Sequence, residues 1–559
     1  MKKRILAIAL MVGMLLPAAG AAQAESDPAA VRTLSRAGFV QLLARSSGED
    51  FASYQGEETP FADAEDDAAV TWAYHKWLVN GDERSLFRPD DAITRQEAAA
   101  ILGRYLDYKY TALPGGCGTG APSMDNVASW AREGAMKCWM YGVIPTDGTD
   151  FNPLSRMTGA HGALMIDNAN SLTMSAVSAP EQKTFADSLV SAVEAKGNFT
   201  LSPYSARLCL AMLANGAKGD TQKELLAALQ IDDLGAFNAA VKRQMQTYDG
   251  YARIMRLETA NSIWLNQSWF DGKGAFLPAY QKQMQDFYAA ETKEVTNQNS
   301  VEQVNAWANE KTKGKIPSIL TEDNREFVTA LVNAVYFKAA WANEFYENNT
   351  KKADFTNADG TTGKVDMMHQ TDYFGYYATP GAEALKMDYR QYAVDNEEGD
   401  NFESFRDADF SMYLIKADET LDVQNLLDQA EFVYEDRIKA AVPKFKIEYG
   451  QPLDDALKAL GVKTAYDHAK ADLSAMVDPS GLPGGELFLD TVLQKTFIAV
   501  DEKGTEAAAV TAAMNGGGSA PPERPPLVRE FTADSPFWFA IRDNANGEIL
   551  FVGRYETAK

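Results

Sequence analysis

The sequence predicts two unlike parts: a small all-α repeat domain, then a large α+β domain built around a big buried sheet. Three observations carry that reading. A helix–loop–helix pattern recurs at intervals of about 60 positions between residues 31 and 171. The linker MSAVSAP, Met174 to Pro180, then marks a break in composition. Beyond it, helical segments such as SARLCLAMLANGA, TQKELLAALQ and VEQVNAWANEKTKG are interspersed with long, largely non-alternating runs such as FVTALVNAVYFKAAW, FSMYLIKA, KAAVPKFKIEY and TFIAVDEK.

A chain of 559 residues with 46% hydrophobic content can bury more than one core. Its first segment, MKKRILAIALMVGMLLPAAGAAQA, has a basic start, an apolar run and a small-residue cleavage site ending at Ala24. Residues 1–24 therefore read as a secretory signal. No cysteine follows the apolar run to take a lipid anchor, and no later segment is apolar enough to span a bilayer. A secreted protein without a transmembrane anchor is expected. Three cysteines are too few for a disulfide scaffold. Export permits a Cys117–Cys138 bridge, two free buried thiols being the alternative; Cys209, inside LCLAMLANGA, reads as core packing. The net charge of −25, with no dense Lys/Arg stripe, argues against nucleic acid, anionic membranes and sulfated polysaccharide as partners.

The fullest repeat reads FADAEDDAAVTWAYHKWLVNGDERSLFRPDDAITRQEAAAILGRYL, and a later one SMDNVASWAREGAMKCWMYGVIPTDGTDFNPLSRMTGAHGALMI. Each has a helix starting at a Trp-Ala pair (Trp72, Trp130), a glycine turn and a Phe-x-Pro (Phe87 and Pro89; Phe151 and Pro153). Thr94 or Thr158 then opens a second helix as its N-cap, and Glu97 completes a capping box with Thr94. A truncated copy, TLSRAGFVQLLARS, supplies the same helix at Ser35-Arg36. These residues resemble the S-layer homology module, which tethers secreted bacterial proteins to cell-wall polysaccharide. The resemblance implies glycan binding at Ser35, Arg36, Thr94 and Arg95, whereas the third copy, Thr158-Gly159, has lost its arginine. A well-capped helical array without a ligand is the competing reading. This domain is expected over residues 29–173, with a linker over 174–183.

The remainder shows no enzyme chemistry. The four histidines, His75, His161, His369 and His468, lie in no zinc-protease spacing and beside no nucleophile elbow. GTTGK, Gly360 to Lys364, is too short for a phosphate loop and reads as a hairpin tip. The acidic stretch DNEEGDNFESFRDAD, Asp395 to Asp409, lacks calcium-loop spacing and reads as a solvated insertion. Neither a cofactor nor a metal is expected. At the end, PFWFAIRDNANGEILFVGRY is two strands joined through Asn546-Gly547.

Several segments together carry a more specific resemblance: NFTLSPYSARLCLAMLANGAKGDTQKEL, VNAWANEKTKGKI, LVNAVYFKAAWANEF, ADLSAM, VDEKGTEAAAVT and FTADSPFWFAIRDNANGEILFVGRY. They are similar to the serpin family and occur in family order over residues 184–559. The resemblance implies three β-sheets, eight or nine helices, an exposed reactive loop and a monomeric protein that is no enzyme. It also implies a mechanism. A target serine protease cleaves the loop and becomes an acyl-enzyme, the loop inserts as a new strand of the main sheet, and the protease is distorted before hydrolysis. The competing class is a non-inhibitory serpin fold serving as a wall-bound binding or adhesion protein.

The loop segment EKGTEAAAVTAAMNGGGSA, residues 502 to 520, is nearly without bulk. A strand that enters a closed sheet must fit a dense interior, where overpacking costs about 1–3 kcal/mol per offending group, and must carry no proline. With a period of two, Thr505, Ala507, Ala509 and Thr511 share one face, which the family places inward, and Glu506, Ala508 and Val510 the other. From Thr505 to Gly516 such a strand would reach roughly 40 Å. Gly504 supplies the turn where insertion begins, and Glu502 precedes it. The strand is expected to stay out of the sheet until the loop is cut. By resemblance, the shutter that must open maps to Ser202, Ser205 and Asn333, with Gln494 where the family commonly has histidine, and Trp341 sits where the loop enters the sheet. Counting the family's usual loop span from Glu502 puts the scissile bond at Gly518-Ser519, with Met514-Asn515 as the alternative. Small residues there suit an elastase-like or subtilisin-like protease, although the proline-rich segment that follows is longer than is common.

Overall fold

A computed structural model of the chain describes residues 33–113, 123–144, 151–172, 183–193, 195–250, 255–272, 274–390, 408–417, 421–478, 487–505 and 527–558. The signal segment, the linker from 174, Cys117, most of the acidic stretch and the loop from 506 to 526 lie outside the described residues.

Five helices make the N-terminal domain: α1 (Arg36–Ser47), α2 (Ala68–His75), α3 (Arg95–Lys109), α4 (Ser129–Met140) and α5 (Gly159–Asn170). Their junction is a ring of backbone hydrogen bonds. Leu34 N–H donates to the Met157 carbonyl at 2.8 Å, Met157 N–H to Ile93 at 2.9 Å, and Ile93 N–H to Leu34 at 2.9 Å. The residue next in sequence to each ring member is an N-cap. Ser35 Oγ accepts from Gly38 N–H, Thr94 and Glu97 form the expected capping box, and Thr158 Oγ1 accepts from His161 N–H. The tryptophans behave differently from the expectation that both start helices. Trp72 lies in the middle of α2, fully buried, because Asp67 caps that helix a turn earlier; Trp130 is in the first turn of α4 and 55% exposed. Helices α3 and α4 approach so closely that a Cβ on Gly103 would meet the Gly134 Cα at 2.5 Å.

The large domain contains eight α-helices among the described residues, of which α7 (Pro203–Gly216), α9 (Leu234–Gly250) and α11 (Ser300–Lys311) matter here; α6 (Phe185–Ala192), α8 (Gly219–Leu229), α10 (Pro278–Tyr288), α12 (Val423–Gln429) and α13 (Asp454–Ala459) complete the set. The sixteen strands among the described residues form three sheets. The main sheet consists of β2 (Met255–Asn266), β3 (Glu291–Val295), β4 (Thr329–Ala340), β11 (Phe445–Pro452), β12 (Thr491–Asp501) and the two-residue β13 (Gly504–Thr505), in the order β11-β12-β13-β4-β2-β3. A second six-stranded sheet is β1 (Phe199–Leu201), β16 (Ile549–Tyr555), β15 (Phe537–Asp543), β9 (Phe410–Ala417), β8 (Ala382–Asp388) and β7 (Gly375–Thr379). The third runs β14 (Val528–Thr532), β10 (Arg437–Pro443), β6 (Thr362–Asp372), β5 (Lys351–Thr356).

The local signals explain much of this. GTTGK is the β5–β6 hairpin tip, with Gly360 at φ +82°, and Asn546-Gly547 turns β15 into β16 with Gly547 at φ +78°. Strand β4 is long and buried over nearly its whole length, because it is an interior strand of the sheet and is covered on both faces. Helix α7 is almost wholly apolar or small, and it packs between β4 of the main sheet and β16 of the second sheet. Cys209 on α7 is a buried free thiol within that core, and burial pushes its ionisation up to about 12.

The two domains meet on β14. Lys76, 1% exposed and paired to Glu49 at 2.9 Å, donates to the Val528 carbonyl at 2.7 Å. Arg529 bonds Asp436 at 2.6 Å, donates to the Tyr108 carbonyl at the end of α3, and lies over the rings of Tyr108 and Tyr376. Thr111 and Ala378 exchange hydrogen bonds, Thr111 N–H to the Ala378 carbonyl at 2.8 Å and Ala378 N–H to the Thr111 side-chain Oγ1 at 2.9 Å. Leu527 packs against the N-terminal core.

Candidate functional site: the top and middle of the main sheet

Strands β4 and β12 pair directly and in parallel from Ala330 with Thr491 to Tyr336 with Phe497, so the sheet is closed through its middle. At its top they part, and β13 lies between them, antiparallel to both: Thr505 faces Val500 and Ala339, and Gly504 faces Asp501 and Ala340. This corrects the expectation that the loop stays wholly outside the sheet. Two of its residues are already in it, in an uncut chain. Glycine is required at 504, because a Cβ there would meet the Ala339 carbonyl oxygen at 2.1 Å. Thr505 is fully buried, and its hydroxyl shares a 2.6 Å hydrogen bond with that of Tyr389. The inward side of position 505 agrees with the period-two reading; Ala507, Ala508, Ala509, Thr511, Met514, Asn515, Gly518 and Ser519 lie outside the described residues.

Below the seated hinge, Trp341 stacks on Tyr389 at 4.7 Å, and its indole N–H donates to the Asp501 carbonyl at 2.9 Å. Its backbone N–H donates to Lys503 and that of Phe345 to Glu502. Glu502, 6% exposed, accepts from Thr350 and from Lys444, both at 2.7 Å. Burial pushes its carboxyl up, but these two partners outweigh burial and hold it below the usual carboxylate range.

In the middle of the sheet all four expected shutter residues meet, every one buried. Gln494 accepts from Ser202 N–H at 2.9 Å and donates both to the Ser202 carbonyl at 3.0 Å and to Asn333 Oδ1 at 3.1 Å. Asn333 donates to Ser205 Oγ and, at 2.6 Å, to Asn261 Oδ1. Ser202 Oγ accepts from Ser205 N–H and donates to the Leu550 carbonyl at 2.6 Å. Asn261 is the member sequence reasoning missed. It sits opposite Asn333 in the β2–β4 register, and a polar residue in an alternating strand reads as solvent-facing until that pairing is known.

In the N-terminal domain the Ser/Thr-Arg pairs are spread rather than gathered. Arg36 is buried, paired to Glu97 at 2.5 Å, bonded to the Phe87 carbonyl and 5.0 Å above the Phe87 ring. Arg95 lies 5.3 Å over Phe151 in the equivalent place of the next copy. Each arginine thus stacks on the phenylalanine of the following repeat, while Ser35 and Thr94 cap helices. Arg36 alone of the four borders a cleft of about 640 Å³, with Arg84, Arg88, Glu97, Arg104 and Trp130.

The family model described as serpin (serine protease inhibitor) matches residues 180–557, more than half of the chain. The chain belongs to the serpin family. The S-layer homology domain model matches residues 60–99, within the fullest repeat. Leukocyte elastase inhibitor A of Rattus norvegicus is 31% identical over 370 residues, covering 64% of this chain and 92% of its own length. Serpin-Z1B of Triticum aestivum is 32% identical over 380 residues, covering 64% and 90%. Among solved structures, the thermophilic serpin tengpin in its native state aligns with a TM-score of 0.57 and 27% identity, covering 67% of this chain and 92% of its own. Thyroxine-binding globulin with thyroxine also aligns, at 0.55 and 21%, covering 67% and 97%, a likeness of fold alone.

The described residues contain no cluster that could hold a metal ion and no helix long and apolar enough to cross a membrane. Cys138 is buried and free there, while its suggested partner, Cys117, lies outside the described residues.

Proposed function

We propose that this serpin is secreted, is held at the bacterial cell surface through its N-terminal repeats, and traps an extracellular elastase-like or subtilisin-like serine protease. The observation that carries the inhibitory reading is the hinge. Gly504 and Thr505 are seated between β4 and β12, and the small residues that follow suit continued insertion into the same seam. The protease serine attacks the carbonyl before the scissile bond, Gly518-Ser519. Its oxygen forms the ester as the amide breaks, and the Ser519 amine leaves with the proton. The freed strand then extends β13 down the sheet, exchanging the direct β4–β12 pairs for two new ladders, each new bond worth about 1 kcal/mol net.

The S-layer homology match supports surface attachment to a wall polymer, and the cleft beside Arg36 is where a glycan would meet charged and aromatic groups together. Incubation with an elastase-like and a subtilisin-like protease, a denaturing gel and sequencing of the released C-terminal peptide test the inhibitory reading. A covalent complex, with a new N-terminus at Ser519, is expected. Turnover of the loop across a protease panel without any complex would sink it. Pull-down on purified cell walls, with and without residues 33–172, tests the tether.

A further inference from the structure

Between α7, α9, β2 and α11 lies a cleft of about 320 Å³, at the lower end of small-ligand pockets. Four buried side-chain polar atoms on its lining have no hydrogen-bond partner: Tyr204 Oη, Thr259 Oγ1, Asn261 Nδ2 and Trp307 Nε1. Tyr204, Asn261 and Trp307 are 2, 3 and 4% exposed. A buried polar group without a partner costs about 1–3 kcal/mol, so four around one space form a set that an occupant would satisfy.

Their chemistry selects the occupant. Two hydroxyls both donate and accept, while the amide and the indole N–H only donate. The charged groups at the rim are Asp249 and the Glu291–Lys311 ion pair, at 2.5 Å, which Lys293 also joins. That rim offers an anion no uncommitted cation among the described residues, and the four orphaned atoms, where an occupant would be held, are all uncharged, Asp249 being an exposed carboxylate at the rim. The rings of Tyr204, Tyr248 and Trp307 supply flat apolar surface beside the polar atoms. We propose that this cleft binds a small neutral polyhydroxylated molecule of monosaccharide size.

Occupancy would reach the shutter. Asn261 Oδ1 is held by Asn333 of the shutter network, and its Nδ2 is the end left for the ligand. The ligand would tie β2 to α7, whose first turn carries Ser205, and to α11, which packs on β2. Binding therefore resists movement of the strands that must part for insertion. The coupling rests on the inhibitory reading; the binding itself does not.

The test is isothermal titration calorimetry of the full chain with N-acetylglucosamine, glucose and glycerol, repeated on Thr259→Val, Trp307→Phe and Tyr204→Phe. Thr259→Val and Tyr204→Phe keep the shape of the side chain and delete one polar group, Trp307→Phe deletes the indole N–H together with part of the ring, and circular dichroism checks folding. Saturable binding of at least one sugar is expected, about fivefold weaker in each single variant and more than tenfold weaker in Thr259→Val/Trp307→Phe. No saturable binding of any of the three, or an affinity the double variant leaves unchanged, overturns the proposal. A failed protease-trapping experiment alongside intact sugar binding would refute the inhibitor and not the site.

Discussion

The N-terminal domain and the main sheet are both closed by backbone hydrogen bonds, but they use side chains differently. The three repeats are joined by backbone hydrogen bonds around Leu34, Ile93 and Met157, and side chains only cap and staple the ring. The main sheet is joined by backbone pairs that an arriving strand can replace, while Asn333, Gln494, Ser202, Ser205 and Asn261 hold its middle through side chains. Both closures thus rest on groups every residue has; the middle of the main sheet adds to them a small buried side-chain network that reaches across β2, β4, β12 and α7.

The largest expected effect breaks the sheet side of that comparison. Thr505→Arg cannot be accommodated between β4 and β12, where the native residue is fully buried. Covalent protease complex on a denaturing gel should fall to background while loop cleavage persists; a variant that still traps protease would disprove insertion at this seam. Next, Asn333→Ala leaves Ser205, Asn261 and Gln494 without their shared partner, and should cost about 2–4 kcal/mol in urea unfolding of the large domain. Smaller is Arg36→Ala, which loses the Glu97 pair and the Phe87 contacts. It should cost the N-terminal domain about 1–3 kcal/mol and leave trapping unchanged, and a change in trapping would show that the two closures are not separable.

The smallest effect is one of pH. Because the folded Glu502 carboxyl titrates below its unfolded value of about 4.3, its contribution is present above that value and lost as pH falls through the folded one. Glu502→Gln should therefore be less stable than the parent at pH 7, by up to about 1 kcal/mol, and the difference should be smaller at pH 3. Equal stability differences at both values would show that the charge is not what anchors the hinge.

The family, the helix caps, the hairpins and the meeting of Ser202, Ser205, Asn333 and Gln494 were legible because each rests on local spacing or on an ordered set of motifs. Gln494 was legible as a substitute because an amide both donates and accepts, and it does both here. The premature seating of Gly504 and Thr505 was not, since it depends on where β4 and β12 part, which no residue in the loop encodes. Arg36 and Arg95 each lie on the phenylalanine of the next copy, a stacking visible only in three dimensions.

The grip of the N-terminal domain on β14 also bears on solubility. That strand ends its sheet, with β10 as its one strand neighbour. Exposed strand edges template pairing with other molecules, and proteins blunt them with charge or with covering segments. Here both devices are used at once. Lys76 occupies the Val528 carbonyl that an incoming strand would need, and Arg529 binds the end of α3. The repeat domain thus acts as an edge cover as well as a neighbour. A serpin domain cut free of it would present at β14 a lysine-free carbonyl and an uncovered border, the kind of surface on which chains of one protein add to each other.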